Sequence, residues 1–186
     1  EAVAELLGRS ARGRQLVRLL RAANGTPQID ITRPSAAGVS VNQFSQFDID
    51  QRGAVVNNGR TASQTAIAGW VAANPALLSG EARVIVNEVR SNHPSLLNGY
   101  VEIAGGKADF IIANPSGISC NGCGFIHASR VELATAKPHI EDGRLTGYAM
   151  GHGALEIAGG GAPSLGGASP APGHGLAGDL TLPATR

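Results

Sequence analysis

Cys120 and Cys123 are the side chains with the widest choice of chemistry in this sequence. Their C-x-x-C spacing fits a thioredoxin-like redox pair, half of a zinc site or a short structural disulfide. A redox pair needs a βαβ setting and an exposed helix N-terminus, and Gly122 and Gly124 work against such a helix. Zinc needs two further ligands, for which His127 with the distant His139 or His152 is a poor set. A local disulfide is the favoured reading, and such bridges persist in proteins that are exported.

The carboxylates come next. Asp48 and Asp50 stand two apart and share a face if their segment is a strand, a spacing that can approach the roughly 5 to 5.5 Å of a retaining glycosidase pair. The other acids, Glu81, Glu88, Asp109 and Asp142 among them, are scattered. Two solvated acids on a strand are the simpler reading, so neither a catalytic residue nor a cofactor is expected. His93 precedes Pro94 in a turn-like segment and His174 lies among glycines, so no metal site is expected either. Gly105-Gly106-Lys107 lacks the preceding glycine pattern of a phosphate-cradling loop. Trp70, the sole tryptophan, is read as a ring laid over the end of a sheet from a short capping helix or an irregular loop between Thr61 and Ala73, with stacking on a carbohydrate as the functional alternative.

The elements that must carry these side chains are short. The chain has 186 residues with 26 Gly and 10 Pro, only 4% aromatic and 16% charged, against about 25% charged in an ordinary domain. A net charge of +1 gives no global field towards nucleic acid or an anionic membrane. No run approaches the roughly 18 to 20 apolar residues of a membrane span.

Residues 1–23 read as a leader, an amphipathic helix weakened by Gly8 and Gly13 or a disordered segment, without the apolar core of a secretory signal. An exported protein would carry such a signal, so the sequence is expected to start after one or from a misplaced start. From Asn24-Gly25 onwards the period changes to two, in Gln28 to Thr32, Val84 to Val89, Tyr100 to Ala104 and Ala108 to Ala113. One small pattern occurs three times, as Val101-Glu102-Ile103-Ala104, Val131-Glu132-Leu133-Ala134 and Leu155-Glu156-Ile157-Ala158. In each, the aliphatics face away from the glutamate, which is expected to be solvated. Glutamates stacked in adjacent coils would repel, so intervening strands or offsets are expected.

Short strands recurring about every 20 to 30 residues are how a coiled solenoid looks in sequence, because one coil cannot bury its aliphatics alone. The expected domain is therefore 24–160. Residues 161–186 form a Gly/Pro/Ala-rich tail that cannot bury enough apolar surface to offset chain entropy, and it is read as truncated or disordered. Leu180 and Leu182 are the place for one last weak strand.

Two corners stand out: Asn114-Pro115-Ser116-Gly117, just before the cysteines, and Asn74-Pro75-Ala76-Leu77. Proline presets φ, asparagine folds back onto its own backbone and Gly117 supplies a positive φ. These corners, with Cys120, Cys123 and Gly124-Phe125, and with the segment from Val41 to Gly59, resemble the ordered motifs of the secretion domain at the N-terminus of filamentous hemagglutinins and contact-dependent growth inhibition exoproteins. The resemblance spans about Asn24 to Gly159. It departs at the third residue of both corners, where Ser116 and Ala76 replace the family's asparagine.

The resemblance implies an all-β fold, a right-handed single-stranded parallel β-helix of the pectin-lyase-like kind, and it points to the same Cys120–Cys123 disulfide. It further implies a two-partner secretion domain read by the periplasmic domains of an outer-membrane transporter of a Gram-negative bacterium. Such a domain nucleates β-helix folding outside the cell for the downstream adhesin or toxin cargo of its own polypeptide. Asn114, Pro115, Ser116, Gly117, Asn74, Pro75 and Leu77 are then the transporter-recognition and turn residues. The alternative is a β-helical adhesin fragment that binds a cell-surface glycan or protein directly.

Overall fold

The computed structural model describes residues 17–158 and the short strand Leu180–Thr181. It is a three-faced stack of coils, each turn of chain adding one strand to sheet A, then to sheet B, then to sheet C.

The chain enters at β1 (Arg18–Arg21), which pairs antiparallel with β2 (Pro27–Asp30). In the first coil β2 lies in sheet A and β3 (Val39–Phe44) in sheet B, while Ile49 bridges to Leu97 on the third face. The second coil starts with β4 (Ala54–Asn58), leaves the stack as a hairpin of β5 (Ser63–Thr65) and β6 (Gly69–Val71), and returns through a 3₁₀ turn at Pro75–Leu77. It closes with β7 (Val84–Val89) and β8 (Ser95–Leu97). The third coil has no excursion: β9 (Tyr100–Gly105), β10 (Asp109–Ala113) and β11 (Ile118–Asn121).

The fourth coil has β12 (Gly124–Ile126) in sheet A and β13 (Arg130–Ala134) in sheet B. A hairpin of β14 (Ala136–Glu141) and β15 (Arg144–Met150) then precedes β16 (Leu155–Ala158) in sheet C. Finally β17 (Leu180–Thr181) adds to sheet B beside β13. Among the described residues, all pairings within the three sheets are parallel except β1 on β2.

Period two explains the packing. Alternate side chains of the sheet strands point inwards, where Val56, Ile85, Val101, Ile103, Phe110, Ile112, Phe125, Val131 and Leu133 build one continuous column. Phe110 meets Phe125 with ring centres 5.9 Å apart, and Phe44 meets Phe47 at 5.0 Å. The column also holds a polar rung, in which the buried Asn42 and Asn87 face one another and pass their amides to Val86 O and Ile111 O.

The other face of sheets A and B is covered by the excursions. The β5/β6 hairpin lays Ala68 and Val71 over Val55 and Ala104, and Leu145 of β15 sits on Val39, Val86 and Ile111. This outer cover explains why the repeated glutamates do not behave as one solvated row. Glu102 is in sheet A, Glu132 in sheet B and Glu156 in sheet C, so they are never stacked neighbours. Glu102 and Glu132 are buried; only Glu156 is exposed. The Glu102 carboxylate accepts the N–H groups of Ala66 (2.8 Å) and Ile67 (2.9 Å) and so holds the β5/β6 turn on the sheet. Glu102→Ala is expected to cost about 2 kcal/mol in urea unfolding, since two turn N–H groups lose their charged acceptor.

Two further expectations change. The segment read as helical ends in a strand: Arg18–Arg21 caps the edge of sheet A, and Arg18 lies 3.9 Å from the buried Asp30 carboxylate. An unpaired edge overrides weak helix propensity. Residues 1–16 lie outside the described residues, as does most of the 161–186 tail; β17 is the described part of that tail. Between Thr61 and Ala73 the chain is a hairpin instead of a helix or loop, and Trp70 points away from the sheet at 67% exposure.

Candidate functional site: two asparagine corners

Both Asn-Pro corners sit where the chain turns between sheets, and both use the same local device. The Oδ1 of each asparagine accepts the N–H two residues ahead, Ser116 N on Asn114 and Ala76 N on Asn74, at 2.9 Å each. A backbone bond closes the turn behind it, Gly117 N to Asn114 O and Leu77 N to Asn74 O, both 3.1 Å. Asparagine followed by proline folds this way because the side-chain oxygen mimics a turn carbonyl while the ring fixes φ.

The amide nitrogen then reaches along the stack. Asn114 Nδ2 donates to His93 O (2.9 Å) and Ser95 Oγ (3.0 Å) in the second coil. Asn74 Nδ2 donates to Ile31 O in the first coil and Asn57 O in the second, both at 3.0 Å. Each asparagine thus fastens its own turn and the coils beside it. Neither side chain is available to a partner in this state, since Asn114 is 0% and Asn74 2% exposed.

The third residue of each corner contributes its backbone N–H, which Ala76 supplies as well as Ser116. Both turns therefore close without an asparagine at that position. The Ser116 hydroxyl adds one bond, to Ser91 O at 3.2 Å. Pro115 is half-buried, Pro75 is exposed, Leu77 is buried in the core column, and Gly117 has φ +121°.

The Asn114 corner is also fastened from the far side. Gly153 N donates to Pro115 O (2.9 Å) and Ile118 N to Ala154 O (3.0 Å), where the chain returns from the β14/β15 hairpin. The approach is so close that a Cβ on Gly153 would lie 2.1 Å from Gly117 N.

Cys120 and Cys123 are joined as a disulfide at the β11–β12 corner, with Cα atoms 5.3 Å apart, and both are buried in the core column. Closing so short a loop limits its effect on the unfolded chain to about 2 kcal/mol. Reduced protein should therefore lose about that much in a guanidinium titration, and the native bridge should resist dithiothreitol until the fold opens.

Asn57 and Asn58 lie in the Val41 to Gly59 segment, and the sequence alone assigned them no role of their own. Asn58 accepts Ala82 N (2.8 Å) and donates to Ala82 O and Gly106 O (2.9 Å each). Asn57 donates to Asp30 Oδ1 (2.8 Å) and Ala72 O (2.9 Å), and accepts Gly59 N (3.1 Å). Their adjacency to Gly59 was the available signal. Asp48 and Asp50 are not presented as an acidic pair: Asp48 accepts Leu96 N (2.9 Å) and the Gln46 amide, and Asp50 accepts Arg52 N (2.9 Å). Among the described residues no group of His, Cys, Asp and Glu is placed to hold a metal ion.

The comparisons with known proteins agree with this geometry. The family described as TPS secretion domain matches residues 8–171. The chain is 53% identical over 157 residues to "Toxin CdiA" of Yersinia pestis, covering 84% of this chain and 5% of that protein. It is 48% identical over 127 residues to "Hemolysin" of Serratia marcescens, covering 68% and 8% respectively. The crystal structure of a filamentous hemagglutinin secretion domain superposes with a TM-score of 0.71 at 38% identity, covering 77% of this chain and 48% of that one. The chain spans less than a tenth of the length of these two curated relatives. With its stacked parallel coils and Asn-Pro corners, this chain belongs to the TPS secretion domain family, the targeting segment of two-partner secretion exoproteins.

Proposed function

We propose that the Asn74 and Asn114 segments are read by the periplasmic domains of an outer-membrane transporter while the chain is unfolded, and become buried corners only after export. One observation carries this: each asparagine spends both ends of its amide inside the folded stack, so a partner can reach it only before folding. Recognition of an extended chain fits strand addition onto a partner's sheet edge, in which main-chain bonds give affinity and side chains such as these set the register.

The stack also has a direction. In sheet A the entry edge is covered by the antiparallel β1, whereas β12 has a partner on one side only among the described residues, and Ile157 of β16 in sheet C is 42% exposed. Downstream coils of the same polypeptide, the adhesin or toxin cargo, would continue on that side. The route is through the periplasm and outer membrane of a Gram-negative cell to its surface or the medium.

The test is a pull-down of urea-unfolded and of folded chain by the transporter's periplasmic domains. Unfolded chain is expected to bind, Asn114→Ala to bind at least fivefold more weakly, and folded chain to bind poorly. Equal binding of unfolded wild type and Asn114→Ala would remove the recognition role and leave the asparagine as a turn residue alone.

A further inference from the structure

The β14/β15 hairpin takes no part in the three sheets: among the described residues its two strands pair only with one another. It leaves the stack directly after β13, in the fourth coil, and its turn ends at the first. Ser35 Oγ, just ahead of β3, donates to Gly143 O at 2.6 Å across a sequence separation of 108 residues. Six residues of β14 reach about 20 Å, enough to cross the roughly 14 Å of three strand spacings. In passing, Leu145 packs on Val39, Val86 and Ile111, which belong to coils one, two and three. Tyr148 packs on Ala113 and Ala134, in coils three and four.

We propose that residues 136–150 are an axial strap that closes last over the outer face of sheet B and latches the four coils together. The coils can stack in order, each on the one before it. The strap cannot close until coils one and four are both in place, because its seat is made of residues from all of them. Among the described residues no backbone ladder joins it to sheet B, so it forms a separate cooperative unit held by side chains, the Ser35 hydroxyl among them. Combined with the export reading, on which this part alone rests, closure needs residues 35 and 143 on the same side of the membrane. A latched domain would then resist sliding back.

The strap is tested on the whole chain without any transporter, so its failure is separate from failure of the export reading. In stopped-flow kinetics, Leu145→Ala is expected to speed unfolding about tenfold and leave refolding within twofold, as for contacts absent from the transition state. Phe110→Ala, in the core column, should slow refolding. Pulsed hydrogen exchange on the unsubstituted protein should show amides of β7, β9 and β10 protected before those of β14 and β15. Strap amides protected together with or ahead of the coils would overturn the proposal. So would a Leu145→Ala refolding rate that falls by as much as the unfolding rate rises.

Discussion

Replacing Asn114 by alanine is expected to destabilise the folded domain by about 3 kcal/mol, a large share of the roughly 5 to 15 kcal/mol that holds a domain together. Three groups lose their partner at once: Ser116 N, His93 O and Ser95 Oγ. Because Asn114 and Ser95 are both 0% exposed, water cannot take the place of the amide between them without opening the corner. Urea unfolding followed by circular dichroism should show the midpoint fall with little change in slope. Asn74→Ala should fall by a similar amount, since its amide also makes three bonds, to Ile31 O, Asn57 O and Ala76 N. Ser116→Ala should cost no more than about 1 kcal/mol, the worth of one hydroxyl bond. If both asparagine variants were as stable as the unsubstituted chain, the corners would not be what fastens the coils.

Gly105→Ala should be at least as damaging, by about 3 kcal/mol or more, for a different reason. Gly105 ends β9 with φ +82°, a backbone conformation that costs an L side chain energy before any contact is considered. A Cβ there would lie 2.3 Å from Gly59 Cα and 2.5 Å from Asn58 O, backbone atoms of the coil beneath that cannot swing aside. The two coils would have to separate where Asn58 bridges Ala82 and Gly106. Gly147→Ala is the matched control: nothing lies within 4 Å of its Cβ position, so its thermal midpoint should stay close to that of the unsubstituted chain.

Tyr148, in the strap itself, gives a pH signature. Burial, with the Glu132 carboxylate beside it, pushes its hydroxyl well above the ordinary tyrosine value of 10.0. The unfolded chain loses this proton first as alkali is added, so stability is whole below about pH 10 and drains as pH rises above it. Tyr148→Phe should flatten the alkaline limb of a stability-against-pH curve. An unchanged limb would mean that the ring ionises as freely in the fold as outside it.

Much of this molecule is written locally. Alternation in Val84 to Val89, Tyr100 to Ala104 and Ala108 to Ala113 is enough to make strands, because period two puts every second side chain on one face. Asn-Pro pairs are enough to make corners, because their turn bonds lie within four residues. The identity of the two corners also carried the family.

The sequence was silent on matters settled by residues far apart. The Val-Glu-Ile, Val-Glu-Leu and Leu-Glu-Ile repeats look equivalent, yet they fall on sheets A, B and C. The coil from Val84 to its partner Asp109 takes 25 residues, from Asp109 to Arg130 21, and from Ile118 to Leu155 37, so equal motifs drift around the axis. The two hairpins that lengthen some coils also decide which glutamates are buried, since they cover two faces of the stack and leave the third open. The strand at Arg18–Arg21 has the same cause. Leu19 and Leu20 between arginines suit a helix or a strand equally well, and the choice falls to the unpaired edge of β2, which exists only once the coils have stacked. Local sequence thus determined where the chain extends and turns. The tertiary structure alone decided which strands meet, because that depends on the summed length of everything between them.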